Sequence, residues 1–133
     1  MIHYKTKYRK YDWDIEVYIV VKNVDVDSIQ KALEQMDCPL HIMHKSFRLL
    51  TGGINSGFTY TNPKIHKSIL VVNVSSSVDE YINTFNHEKN HVEMHICEEY
   101  EIDPYSEEAA YLSGELASLL IIPMTSGLLA EIF

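Results

Sequence analysis

Cysteine is scarce: Cys38 and Cys97 are the only two. No apolar stretch at the N-terminus resembles a signal peptide, so cytoplasmic residence with reduced thiols is the expectation. Long apolar runs are also missing. The most apolar stretch, 116–124, is interrupted by Pro123 and too short to span a bilayer, so it reads as a buried helix end or a dimer contact. Basic residues are in the minority, 11 against 19 acidic ones, and the net charge of −8 disfavours nonspecific binding to nucleic acid or an anionic membrane. The one basic segment, 5–11, interleaves Lys5, Lys7, Arg9 and Lys10 with tyrosine and reads as a solvated strand or N-terminal arm. Repeats and low-complexity segments are absent. What remains is a 133-residue chain with 46% hydrophobic residues, the profile of a single globular domain over 1–133.

Hydrophobic patterning gives the elements. Ile15, Val17, Ile19 and Val21 alternate with Asp14, Glu16, Tyr18 and Val20, as a strand with one buried face does. Asp25 or Asp27 caps a helix carrying Ile29, Ala32, Leu33 and Met36, stopped by Pro39. A shorter helix over 41–50 ends at Gly52-Gly53, with His41 and His44 at solvent or rim positions. Strands follow over 57–61 and, more buried, 68–74. Glycine and proline are both absent from 77–100, where Ser77 caps a helix with Asp79 and Glu80 in its first turn. Asp103-Pro104-Tyr105-Ser106 breaks the chain, and Ser106 caps a further helix whose stripe is Leu112, Leu116 and Leu119. This order predicts an α+β fold, a small mixed β-sheet packed against helices.

The long helix carries His87-Glu88-Lys89-Asn90-His91, which reads H-E-x-x-H. Imidazoles four residues apart rise about 6 Å along one helix face, and their side chains converge enough to share a zinc ion. The glutamate between them can take a proton from a metal-bound water. Val78, Tyr81, Phe85, Val92 and Ile96 fall in a stripe roughly 60° wide, while His87 and His91 lie about −100° and −60° from Glu88. The helix therefore has a core face and, beside it, a histidine face.

A catalytic zinc needs a third protein ligand. His95 lies about 12 Å from His87 along the axis, too far to share one ion, and reads as lining the cleft or as a polar residue at the edge of the core. A longer arrangement with a glycine-turned third histidine fails, because Met94 and Cys97 occupy those positions. Either Glu107 or Glu108, in the first turn of the next helix, could serve.

The order His87-Glu88-x-x-His91, a short break, then Glu107-x-x-Ala110-Tyr111 resembles the glutamate-type zincins. It is most similar to compact metallopeptidase-like proteins related to ImmA/IrrE and to small H-E-x-x-H proteins of prophages and mobile elements. The resemblance covers about 85–123, ending in an apolar segment that closes on Pro123. It implies a zincin-like fold in which the H-E-x-x-H helix precedes a glutamate-ligand helix. It also implies a zinc peptidase acting on a peptide or protein such as a regulator. His87, His91 and Glu107 would hold Zn2+ and Glu88 would act as general base. A strand over 58–61 would bind substrate by backbone pairing. Tyr111, one turn after Glu107, is the first candidate to stabilise the oxyanion, with His95 or Tyr60 behind it. Lys89-Asn90 depart from the small or apolar pair common between the histidines in that family. The rival readings are a zinc-stabilised or catalytically idle binding and assembly protein, closed by a fourth ligand such as His66 or Asp103, and a metal-free interaction module.

Overall fold

A computed structural model describes residues 1–132. Four strands form one sheet in the order β1-β2-β4-β3, comprising β1 (Ile2–Tyr8), β2 (Trp13–Ile19), β3 (Gly57–Asn62) and β4 (Lys67–Val72). The outer pairs are antiparallel and the central pair, β2 with β4, is parallel. A parallel pair needs a long crossover. Here α1 (Val26–Glu34), α2 (Leu40–Gly52) and β3 supply it. The architecture is the expected α+β, a small mixed sheet with helices on both faces.

The central strands are apolar on both sides because both sides are covered. On one face Ile15, Val17, Ile19, Leu70 and Val72 pack under α3 (Val78–Glu99), α4 (Glu107–Leu119) and α5 (Ile121–Ile132). On the other, Tyr18, Val20, Ile69 and Val71 meet Ile29, Leu33 and Met36 of the α1 region and Leu50 of α2. The edges differ. The basic 5–11 segment is largely strand β1, with Lys5 and Lys7 paired opposite Glu16 and Asp14 of β2. Charged residues along such an edge discourage pairing with another chain. The other edge, β3, is half-buried throughout and borders the cleft described below.

The long helix runs as its lack of glycine predicts. Ser77 caps α3 by accepting from Glu80 N, and the helix continues for 22 residues. Tyr81, Phe85, Val92 and Ile96 are buried as the stripe requires, but Val78, in the first turn, is exposed. Proline does not end the apolar C-terminal segment. Pro123 is the third residue of α5, where a backbone N–H has no helical partner to lose. Among the described residues no single helix is long and apolar enough to cross a membrane. Helices α4 and α5 reach that length only together, bent by 47°, and Leu112 and Leu116 of α4 and Leu120 at the break are buried in the core.

Candidate metal centre

Helix α3 lies across β3 and β4, so its histidine face overhangs the β3 edge. Gly57 permits the close approach. A Cβ there would come within 2.9 Å of Glu88 Cγ and 2.5 Å of the Val71 carbonyl oxygen. The result is a cleft of about 430 Å³ between α2, β3 and α3, into which His87, Glu88, His91 and His95 project opposite Lys45 and Ser46.

Two of the imidazoles converge. His87 Nε2 and His91 Nε2 are 3.2 Å apart, with ring centroids at 4.9 Å. Two nitrogens each about 2.0–2.1 Å from a tetrahedral zinc lie about 3.3 Å apart, so the pair is already spaced for chelation. Without a cation the same spacing suits one N–H···N hydrogen bond. Glu88 completes the group. Its Oε2 is 4.0 Å from His87 Nε2, and candidate ligand atoms of all three residues fall within 4.8 Å of one another. His87, Glu88 and His91 can together hold a metal ion. His87 is exposed and His91 half-buried, so solvent reaches the pair.

Glu88 is 4% exposed, and a buried carboxylate requires partners. The Thr59 hydroxyl supplies one, donating to Oε1 at 2.9 Å with the Glu88 carbonyl at 3.2 Å. Two residues along β3, on the same face, Thr61 Oγ1 lies 2.6 Å from His95 Nδ1. Burial lowers the pKa of the His95 imidazole against the opposing charge of Glu98. The period-2 Thr59/Thr61 alternation in the predicted strand was the sequence signal for this wall. What it did not give was the helix that the threonines face.

The second glutamate does not join. Neither Glu107 nor Glu108 belongs to the group, and no residue of α4 lines the cleft. Helix α4 packs on the far side of α3, where Ser113 Oγ donates to Glu93 Oε1 at 3.1 Å. Glu93 and Cys97 are turned about 140° and 180° from Glu88 around the helix. Because α3 runs two turns past His91 before the chain reverses at 100–106, α4 returns along that back face. Glu107 is exposed in its first turn, and Glu108 accepts from Tyr11 Oη at 3.1 Å instead. Tyr111, the expected oxyanion donor, is 64% exposed and outside the cleft.

The remaining candidates also have other places. Tyr60 packs with the core of the α1 and α2 side. His66 stacks on Trp13, and Asp103 Oδ1 accepts from Tyr105 N. His41 and His44 are exposed on α2. Lys89 is buried, with Nζ donating to Glu93 Oε1 at 2.6 Å on the back of α3. Its charge is therefore neutralised away from the histidines. Comparison with protein-family models, curated proteins and solved structures finds no match for the chain.

Proposed function

We propose that the protein is a zinc-dependent peptidase whose site is His87, Glu88 and His91, with an extended peptide or protein segment laid along β3. The observation that carries this reading is the 3.2 Å spacing of two imidazole nitrogens beside a buried carboxylate, on the wall of an open cleft. A bound zinc would polarise a peptide carbonyl and bring the pKa of a water to around 7. With such an ion held by the two imidazoles, Glu88 would be the base, taking the water proton on the oxygen that Thr59 does not engage and giving it to the leaving amine. The edge of β3 offers unpaired backbone groups to an incoming strand.

One observation favours a second reading. Glu107 lies outside the group, so two imidazoles and Glu88 are the only gathered protein ligands among the described residues. A catalytically idle binding protein of a phage or mobile element, with Glu88 as the third ligand and not the base, would need no more, whereas a zinc-stabilised one would need a fourth ligand.

Metal analysis and turnover separate the two. Protein purified from zinc-replete medium should carry about one zinc per chain, lost in His91→Ala. Metal-free wild-type protein would reject the metal reading. Glu88→Gln should keep the metal and lose peptide hydrolysis by roughly 10²- to 10⁴-fold. Equal turnover in that variant removes Glu88 as the base. Metal with no turnover in the wild type selects the binding protein.

A further inference from the structure

Outside the His87–His91 pair, the least ordinary polar feature is a chain of hydrogen bonds running from the core to the cleft. Trp13 Nε1 donates to Ser68 Oγ at 2.9 Å. Ser68 Oγ lies 2.6 Å from Thr61 Oγ1. Thr61 Oγ1 lies 2.6 Å from His95 Nδ1. Ser68 is 0% exposed.

Proton accounting favours one direction. An indole N–H can only donate, so Ser68 Oγ accepts from Trp13. The Ser68 hydroxyl hydrogen then needs an acceptor, and Thr61 Oγ1 is the only other partner of Ser68 Oγ among the described residues. Thr61 Oγ1 then accepts from Ser68, and His95 Nδ1 is the one other side-chain atom among the described residues that can take the Thr61 hydrogen; an Nδ1–H imidazole would leave that hydrogen to solvent. Running the chain backwards, from His95 to Thr61 to Ser68, would strand the Ser68 hydrogen where water cannot reach it, at a cost of tenfold or more. In the satisfied arrangement Nδ1 accepts, and the His95 proton sits on Nε2 at the opposite edge of the ring. That ring lines the same cleft as the metal pair, with its centroid 6.2 Å from that of His91.

We infer that His95 is an oxyanion donor: the relay Trp13–Ser68–Thr61 fixes it as the Nε2–H tautomer, so that it donates a hydrogen bond to an anionic oxygen bound in the cleft beside His87 and His91. The ligand class is a tetrahedral or carboxylate oxyanion, and the role rests on the metal reading proposed above. Thr61 and Ser68 are positioning residues. They touch no ligand, and they set which nitrogen carries the proton.

Two measurements on the full chain test this. Long-range ¹H–¹⁵N correlation on ¹⁵N-histidine protein needs no metal and should place the His95 proton on Nε2. Thr61→Val should shift the ring toward a mixture of tautomers. An Nδ1–H tautomer in the wild type overturns the inference. The second measurement titrates cobalt-loaded protein with methylphosphonate, followed by the visible cobalt bands. His95→Ala should bind cobalt as the wild type does and methylphosphonate roughly ten- to a hundredfold more weakly. His95→Gln, which keeps an N–H donor, should recover part of the loss and serves if the alanine variant misfolds. Equal methylphosphonate affinity in the wild type and His95→Ala, or a His95→Gln variant with no more than the affinity of a donor-less ring position, overturns the inference. No cobalt uptake by the wild type would instead sink the metal reading, and the oxyanion role with it, while the tautomer would still be decided by NMR.

Discussion

Glu16 and Glu88 are the two buried carboxylates among the described residues, 5% and 4% exposed, and their surroundings could hardly differ more. Glu16, on β2, is saturated. Its Oε1 is 2.7 Å from His3 Nε2, 3.1 Å from Tyr18 Oη and 3.7 Å from Lys5 Nζ, and its Oε2 is 3.3 Å from Lys67 Nζ. Glu88 has one hydroxyl donor, Thr59, and an imidazole at 4.0 Å. Burial is equal, so burial alone does not mark function. What separates them is spare acceptor capacity facing a cleft. A carboxylate whose lone pairs are all engaged holds a sheet together, whereas one with a free oxygen can hold a proton or a cation.

The largest effect that would break this comparison is on stability. Removing Glu16 leaves Lys67 and Tyr18 without their shared acceptor at a site largely closed to water. Glu16→Ala is expected to cost about 2–4 kcal/mol in urea unfolding at pH 7. Glu88→Gln keeps the Thr59 bond and should stay within about 1 kcal/mol of the wild type. Equal losses in the two variants would show that both carboxylates are structural.

Acid separates the regions further. Burial pushes the Glu16 pKa up, but hydrogen bonds from His3, Lys67 and Tyr18 and the charge of Lys67 outweigh it, and the carboxyl titrates below its usual value. A carboxyl depressed in the folded state binds fewer protons there than in the unfolded chain. Its stabilisation is complete above the unfolded value near 4.5 and is lost as pH falls through the lower folded value. The stability gap between wild type and Glu16→Gln should therefore be widest at neutral pH and shrink below about pH 4. A gap of constant size from pH 3 to pH 7 would show that Glu16 acts through packing rather than charge.

Much of the fold was legible from local chemistry. The alternation through Ile15, Val17 and Ile19 gave β2, and the caps Asp25, Ser77 and Ser106 gave the helix starts, because each signal lies within a few residues of what it specifies. The His87–His91 convergence was legible for the same reason, being set by one helical turn. Glu107 was not. Its distance from the pair depends on which face of α3 receives Leu112 and Leu116, and a leucine stripe encodes that a helix docks without encoding where. Tyr111 fell with it. The relay behind His95 joins β2, β3, β4 and α3 through bonded pairs up to 55 positions apart, as Trp13 and Ser68 are. Only the sheet register brings them together, and no local spacing carries it.

Gly57 sharpens the comparison at a smaller scale, since it is where the Glu88 region depends on empty space rather than on partners. A methyl group there meets the Val71 carbonyl and Glu88 Cγ together. Gly57→Ala should cost roughly 1–3 kcal/mol and displace Glu88 from Thr59, weakening metal retention relative to the wild type. Unchanged zinc content and stability would mean that α3 can slide without disturbing the site.

The smallest expected effect is the most diagnostic. His91 is half-buried and, among the described residues, its Nε2 meets only His87, so the metal-free His91→Ala protein should unfold within about 1 kcal/mol of metal-free wild type. Adding zinc at a hundred times its dissociation constant should raise wild-type stability by about 2.7 kcal/mol and leave the variant where it was. The fold does not need the pair, because α3 is held by Tyr81, Phe85, Val92 and Ile96 on another face. Should His91→Ala destabilise the metal-free protein by several kcal/mol, the imidazoles would belong with Glu16 as structural groups, and the contrast between the two regions would disappear.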